Sequence, residues 1–184
     1  MAIIGLSVAI LRGTRNLAEV TVGVCETVLG WVGIARSPRG LLALTLPKPD
    51  REAALQPLLD RWGDDARQDD VAVGDLQEKL RRYFDGQPVS FDEPLDMGGA
   101  TDFQRRVWEA TRRIPRGQTL AYGEIARQIG SPRAARAVGQ VLARNPWPVI
   151  VPCHRVVGHD GRLTGFGGGL AMKQRMLEME GAIT

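Results

Sequence analysis

Apolar positions come in short bursts through the first part of the chain and fall into helical spacing further on. Residues 20–25, 31–35 and 41–46 are rich in β-branched and aliphatic side chains, and they are separated by Leu29-Gly30 and by Ser37-Pro38-Arg39-Gly40. Such runs bounded by turn residues predict three strands in an antiparallel meander. Two helices are predicted next, over 51–61 and 71–84, the second placing Val73, Leu76, Leu80 and Phe84 at spacings of three and four. Asp85-Gly86-Gln87-Pro88 ends it. Residues 94–100 hold a Gly pair and lack apolar periodicity, so a linker is predicted there, dividing the chain into domains at 1–96 and 97–184.

Beyond the linker the pattern is helical. Thr101 followed three residues later by Gln104 has capping-box spacing, and Phe103, Val107, Ala110 and Ile114 mark the buried face of the helix it opens. After Pro115-Arg116-Gly117 come a short helix over 122–129, a turn at Gly130-Ser131, and a helix predicted to start with Ser131 as N-cap and Pro132 in its first position. This is a helix-turn-helix outline. On the second helix Ala134, Val138, Val141 and Leu142 fall on one side, with Arg133, Arg136, Gln140 and Arg144 opposite. The small residues Ala135, Ala137 and Gly139 would let its backbone approach a nucleic-acid groove, although tight helix packing explains them equally well.

Charge sharpens that picture. Residues 1–98 carry 11 Lys and Arg against 15 Asp and Glu, a balance of −4, whereas residues 99–184 carry 13 against 6, a balance of +7. The basic half is therefore the candidate nucleic-acid half, and its arginines suit phosphate and base-edge contacts. Cys25 and Cys153 are too few for a disulfide framework and lack the paired spacing of a zinc site, so neither metal nor cofactor is expected. Residues 1–11 are apolar but too short to span a bilayer and have no basic region before them, which points to a cytoplasmic protein without membrane contact.

The chemistry concentrates after the arginine-bearing helix, in Asn145-Pro146-Trp147-Pro148-Val149-Ile150-Val151-Pro152-Cys153-His154-Arg155-Val156. A cysteine behind such an apolar run is ordinarily inert filler. Here His154 and Arg155 adjoin it, and a thiol needs a base or a positive neighbour to act as a nucleophile.

Pro152-Cys153-His154-Arg155 resembles the active-site signature of the O6-alkylguanine-DNA alkyltransferases. The similarity extends in order and spacing through Thr101-Asp102-Phe103-Gln104-Arg105-Arg106-Val107-Trp108, Tyr122-Gly123-Glu124-Ile125-Ala126, Ala134-Ala135-Arg136-Ala137-Val138-Gly139, Asn145-Pro146 and Gly167-Gly168-Gly169-Leu170. It covers roughly residues 100–182, with a weaker match over 26–46. The resemblance implies an α+β fold: an N-terminal three-stranded antiparallel sheet with helices, RNase H-like, followed by a mostly α-helical domain with a helix-turn-helix.

The resemblance also implies roles. Cys153 takes the alkyl group from O6-alkylguanine in double-stranded DNA, with O4-alkylthymine as a further candidate, after the base is flipped, and the protein is consumed in one turnover. His154 and Glu180 activate the thiol through a water, Asn145 braces the helix-turn-helix, and Tyr122 donates a proton to the departing guanine. Arg136 fills the gap in the stack, and Ala135, Ala137 and Gly139 admit the helix to the minor groove. The carbonyls of Cys153 and Val156 accept from the guanine amino group, while Phe166, Gly167 and Gly168 close the pocket. Phe166 stands where many relatives carry Tyr, which keeps the aromatic wall and removes a hydroxyl. A monomer is implied, with cooperative binding on DNA left open, and residues 1–16 extend beyond the usual start. Three alternatives compete: a lesion sensor without chemistry, which would lack Cys153; a helix-turn-helix regulator, which would need a cysteine-rich domain; and a Cys-His hydrolase, which would turn over repeatedly.

Overall fold

The computed structural model describes residues 20–63 and 66–184, and the N-terminal extension over 1–16 lies outside the described residues. β1 (Thr21–Thr27), β2 (Gly30–Ser37) and β3 (Gly40–Leu44) form the expected meander, each antiparallel to the next. Their runs are apolar on both faces because both faces are covered. Val22, Val24, Ala35 and Leu42 pack with Leu55 and Leu58 of α1 (Arg51–Trp62), while Cys25, Val32, Ile34 and Leu41 pack with Leu76 and Leu80 of α2 (Gly74–Phe84). Asp50 starts α1 by accepting from the Ala53 amide at 2.8 Å, which satisfies one of the helix's orphan donors.

The sheet has a fourth member that the pattern did not predict. β4 (Arg67–Gln68) pairs parallel to β1 at the edge, and two exposed polar residues give no apolar signal. The expected start of α2 at residue 71 is also corrected. Val71–Val73 form a 3₁₀ turn, and α2 proper begins at Gly74.

In the second half, α3 (Asp102–Arg112) opens with the expected capping box: Thr101 Oγ1 accepts from the Gln104 amide at 3.2 Å, and Gln104 Oε1 accepts from the Thr101 amide at 2.8 Å. β5 (Leu120–Ala121) leads into α4 (Tyr122–Gln128), and α5 (Ala135–Ala143) completes the helix-turn-helix. Ser131 is not its N-cap. Its amide donates to Ala126 O at 2.8 Å, closing α4 behind Gly130 at φ +70°, and its carbonyl accepts from the Ala134 amide in a further turn. The helix therefore starts three residues later than predicted, with no side-chain cap. A 3₁₀ turn over Cys153–Arg155 then leads to β6 (Val156–Val157), which pairs parallel to β5, and α6 (Gly169–Met179) ends the fold.

One continuous core joins the two halves. Trp147, 2% exposed, meets Trp108 edge-to-face at 5.0 Å and donates from Nε1 to Leu41 O of β3 at 2.7 Å. Truncating such a ring typically costs about 3–5 kcal/mol. Residues 94–100, predicted as a linker, are stitched onto the sheet: the Leu41 amide donates to Pro94 O and the Asp96 amide to Leu41 O, both at 2.8 Å. Gly40 permits this approach, since it sits at φ +137° and an added Cβ would lie 2.3 Å from Pro94 O. Gly40→Ala is expected to cost at least about 2 kcal/mol in urea unfolding, whereas Gly74→Ala, in open space at the start of α2, should be neutral or stabilising by about 0.5–1 kcal/mol. Equal midpoints for the two variants would contradict the stitched joint.

Candidate functional site

Backbone chemistry shapes the segment before the cysteine. Pro146, Pro148 and Pro152 remove amide donors and restrict φ, and between them Val149 takes φ +76°, a left-handed value that β-branched residues avoid. Strain of this kind costs on the order of 1–3 kcal/mol and persists only where surroundings enforce it. Trp147, Val149, Ile150 and Val151 are all buried here.

The segment delivers Cys153 to the base of a cavity of about 750 Å³, within the range of roughly 300–1,000 Å³ usual for ligand sites. Tyr122, Ala135, Arg136 and Gly139 of the helix-turn-helix line one part of it, and Thr164, Phe166 and Gly167 line another. Arg136 is exposed, as are Arg133 and Arg144. Asn145 is bonded along the segment that follows it: Nδ2 donates to Val151 O at 2.8 Å and to Cys153 Sγ at 3.2 Å, while Oδ1 accepts from the Trp147 amide. Tyr122 accepts a hydrogen bond from Thr164 Oγ1 at 3.3 Å, linking α4 to the pocket loop.

Behind the thiol lies a buried polar network. His154 Nε2 is 2.9 Å from Glu180 Oε1, and both side chains are inaccessible to solvent. Arg155 grips the same carboxylate from Nε to Oε2 at 2.8 Å and from Nη2 to Oε1 at 2.9 Å, and Tyr83 of α2 donates to Oε1 at 2.6 Å. Burial alone would raise the Glu180 carboxyl, but hydrogen bonds from His154 and Arg155 outweigh it and hold it well below the usual carboxylate range. Burial depresses His154 against the pull of Glu180, so its ring is neutral at physiological pH. Burial likewise raises the Cys153 thiol, opposed by the Asn145 hydrogen bond and the Lys173 charge. The resting site thus holds a protonated thiol beside a neutral imidazole whose Nδ1 is buried with no hydrogen-bond partner among the described residues.

Not every expected residue lines the cavity. Ala137 faces a separate cleft with Gln140 and Arg144, and Gly168 is exposed beside Leu46, where an added Cβ would lie 2.8 Å from Leu46 Cδ1. Val156 is fully buried. Its carbonyl already accepts from Lys173 Nζ at 2.6 Å, and the Cys153 carbonyl accepts from the Val156 amide, so an incoming amino group would share these acceptors.

Lys173, Tyr83 and the grip of Arg155 on Glu180 were not anticipated as parts of the site. A signal existed: Lys173 shares its face of α6 with Met176, Leu177 and Glu180, and Tyr83 follows Leu76 and Leu80 on the apolar face of α2. A lysine or phenol at core spacing marks a buried polar group that needs partners. Lys173, fully buried, holds the carbonyls of Val156 and Thr164 at 2.6 and 3.0 Å, tying both ends of the pocket loop to α6.

Two family models cover the described chain. The 6-O-methylguanine DNA methyltransferase DNA binding domain matches residues 102–182, and the ribonuclease-like domain of the same enzyme matches residues 20–97. The chain belongs to this family. The methylated-DNA-protein-cysteine methyltransferase of Mycolicibacterium paratuberculosis is 46% identical over 78% of this chain and 88% of its own length. Its namesake from Methanosarcina acetivorans is 38% identical over 86% and 97%. Among solved structures, the Mycobacterium tuberculosis OGT in complex with DNA superposes with a TM-score of 0.74 at 40% identity, covering 88% of this chain and 93% of that one. The ribonuclease-like match and these neighbours bear out the α+β expectation, with a four-stranded rather than three-stranded sheet. No helix among the described residues is long and apolar enough to cross a membrane.

Burial lowers Lys173 from 10.5 to about 8. Between those values the unfolded chain binds more protons than the folded one, so folding stability gains with rising pH, and below about 8 the buried charge is a standing cost. The stability difference between wild type and Lys173→Met should therefore shift in favour of wild type as pH rises from about 8 to 10.5 in urea titrations. A difference that stays level across that interval would contradict a buried ammonium at this position.

Proposed function

We propose that this chain repairs DNA by moving an alkyl group from O6 of guanine to Cys153. The observation that carries the reading is a thiol in a cavity roomy enough to admit a purine, flanked by an arginine-bearing helix-turn-helix and backed by the buried His154 and Glu180 pair. Family membership and the DNA complex of a 40% identical neighbour support DNA as the partner.

In this reading residues 97–184 bind DNA and carry the chemistry, and residues 1–96 hold that half in place. α5 enters the minor groove, its small residues letting the backbone approach, and Arg136 occupies the space of a flipped nucleotide. The base enters between Tyr122 and the loop that carries Phe166 and Gly167. His154 takes the thiol proton through a water, and Glu180 stabilises the resulting imidazolium. Sulfur then attacks the alkyl carbon, the bond from carbon to O6 breaks, and Tyr122 passes a proton to the departing guanine. The net proton moves from thiol to guanine and no redox partner is required. The thioether has no means of cleavage on the chain, so each molecule acts once, as a monomer in the cytoplasm.

The test is stoichiometric. A duplex carrying O6-methylguanine with a radiolabelled methyl group, mixed with protein, should transfer label until one equivalent per chain is reached and then stop. Cys153→Ser should bind the duplex and take up no label. Labelling of the serine variant, or turnover continuing past one equivalent, would exclude the reading and favour another nucleophile or a hydrolase.

A further inference from the structure

We propose that Tyr83, supplied by the N-terminal half, is a positioning residue of the alkyl-transfer site, fixing Glu180 and through it the proton-bearing nitrogen of His154. The inference rests on the function proposed above but concerns a residue outside the basic half to which that chemistry was assigned.

Tyr83 stands on the last turn of α2 and is 2% exposed. Its hydroxyl lies 2.6 Å from Glu180 Oε1 and 3.3 Å from His154 Nε2. A phenol has one proton to give, and the carboxylate, already held ionised by Arg155, can only accept. The proton therefore goes to Glu180. Burial, reinforced by the neighbouring Glu180 charge, keeps Tyr83 protonated far above its usual range, so the donation persists at all working pH values.

The consequence falls on the imidazole. Nε2 faces two oxygens, the Glu180 carboxylate and the lone-pair side of the Tyr83 hydroxyl, and both accept. Nε2 must carry the hydrogen. Nδ1, which no described group engages, is left as the basic nitrogen. Arg155 and Tyr83 approach Glu180 from different elements, so the carboxylate cannot rotate without losing a partner. Phe84 and Phe91 meet the Tyr83 ring edge-on at 5.0 and 5.8 Å, and the Arg116 guanidinium lies 6.0 Å from its centroid, which holds the phenol in place.

The charged and titratable groups facing His154 are thus Glu180, Arg155, Tyr83 and, through the active-site turn, Cys153 and Lys173. Removing only the Tyr83 oxygen takes one donor from Glu180. The carboxylate then draws the imidazole proton more strongly, raising the pKa of His154.

Tyr83→Phe in the full chain is the test, read by single-turnover alkylation against pH and by nitrogen-15 shifts of His154. Wild type should show the Nε2–H tautomer. The variant should still be alkylated to completion, but about two- to threefold more slowly at neutral pH, with the acidic limb of its profile moved up by about one pH unit and the Nε2–H tautomer kept by Glu180. Phe91→Leu loosens the same packing without touching the polar network, and should leave both the profile and the tautomer as in wild type. An unchanged profile in Tyr83→Phe would overturn the proposal, as would an Nδ1–H tautomer in wild type, which needs no variant to fold. Failure of the function itself would look different: wild type would take no alkyl group, whatever the tautomer.

Discussion

A carboxylate sealed from solvent must find donors for its charge, and the arrangement around Glu180 follows from that requirement. It receives hydrogen bonds from Tyr83 of α2, from His154 and Arg155 of the active-site turn, and it lies just beyond α6. Three separate stretches of chain are thereby held to one charge. Arg155 extends the clamp to Ile114 O, and Arg116 fastens the adjoining Met179 carbonyl to that of Gly86. Removing one partner of a buried pair typically costs about 3–5 kcal/mol, because the other charge stays behind unpaired. The same charge that locks the C-terminal segment also supports the imidazole, so stability and chemistry depend on a shared group.

The thiol obeys the opposite logic. Burial keeps Cys153 protonated and unreactive until a base takes the proton, and the nearby imidazole is neutral and able to accept it. Asn145 and Lys173 favour the thiolate once it forms. The strained Val149 and the prolines on either side fix the turn that presents the sulfur to the cavity. Rigid backbone holds this soft nucleophile in one position facing the cavity.

Much of this was legible in the residues. Apolar runs bounded by turn residues located three strands, spacings of three and four located most helices, and the Thr101 capping box is formed as its spacing predicts. What escaped lacks a local signature. β4 is two polar residues whose pairing depends on where α1 returns the chain, and Ser131 was misread because its backbone closes the preceding helix. The site divides similarly. Cys153, His154 and Asn145 stand within nine residues of each other, and the motif exposes them. Tyr83 lies 97 positions from the carboxylate it serves, and only folding brings them together. Residues 94–100 read as a loose linker for a related reason: their pairing with Leu41, which draws the two halves into one core, has no local signature.

The central claim is spatial: a damaged guanine leaves the duplex and lies in the cavity above residue 153. A structure of the Cys153→Ser variant on a duplex containing O6-methylguanine tests it directly. The account predicts an extrahelical guanine between Tyr122 and Phe166, its methyl carbon facing the serine oxygen, with Arg136 in the stack. A lesion still paired within the duplex, or DNA seated on a face away from this cavity, would contradict it.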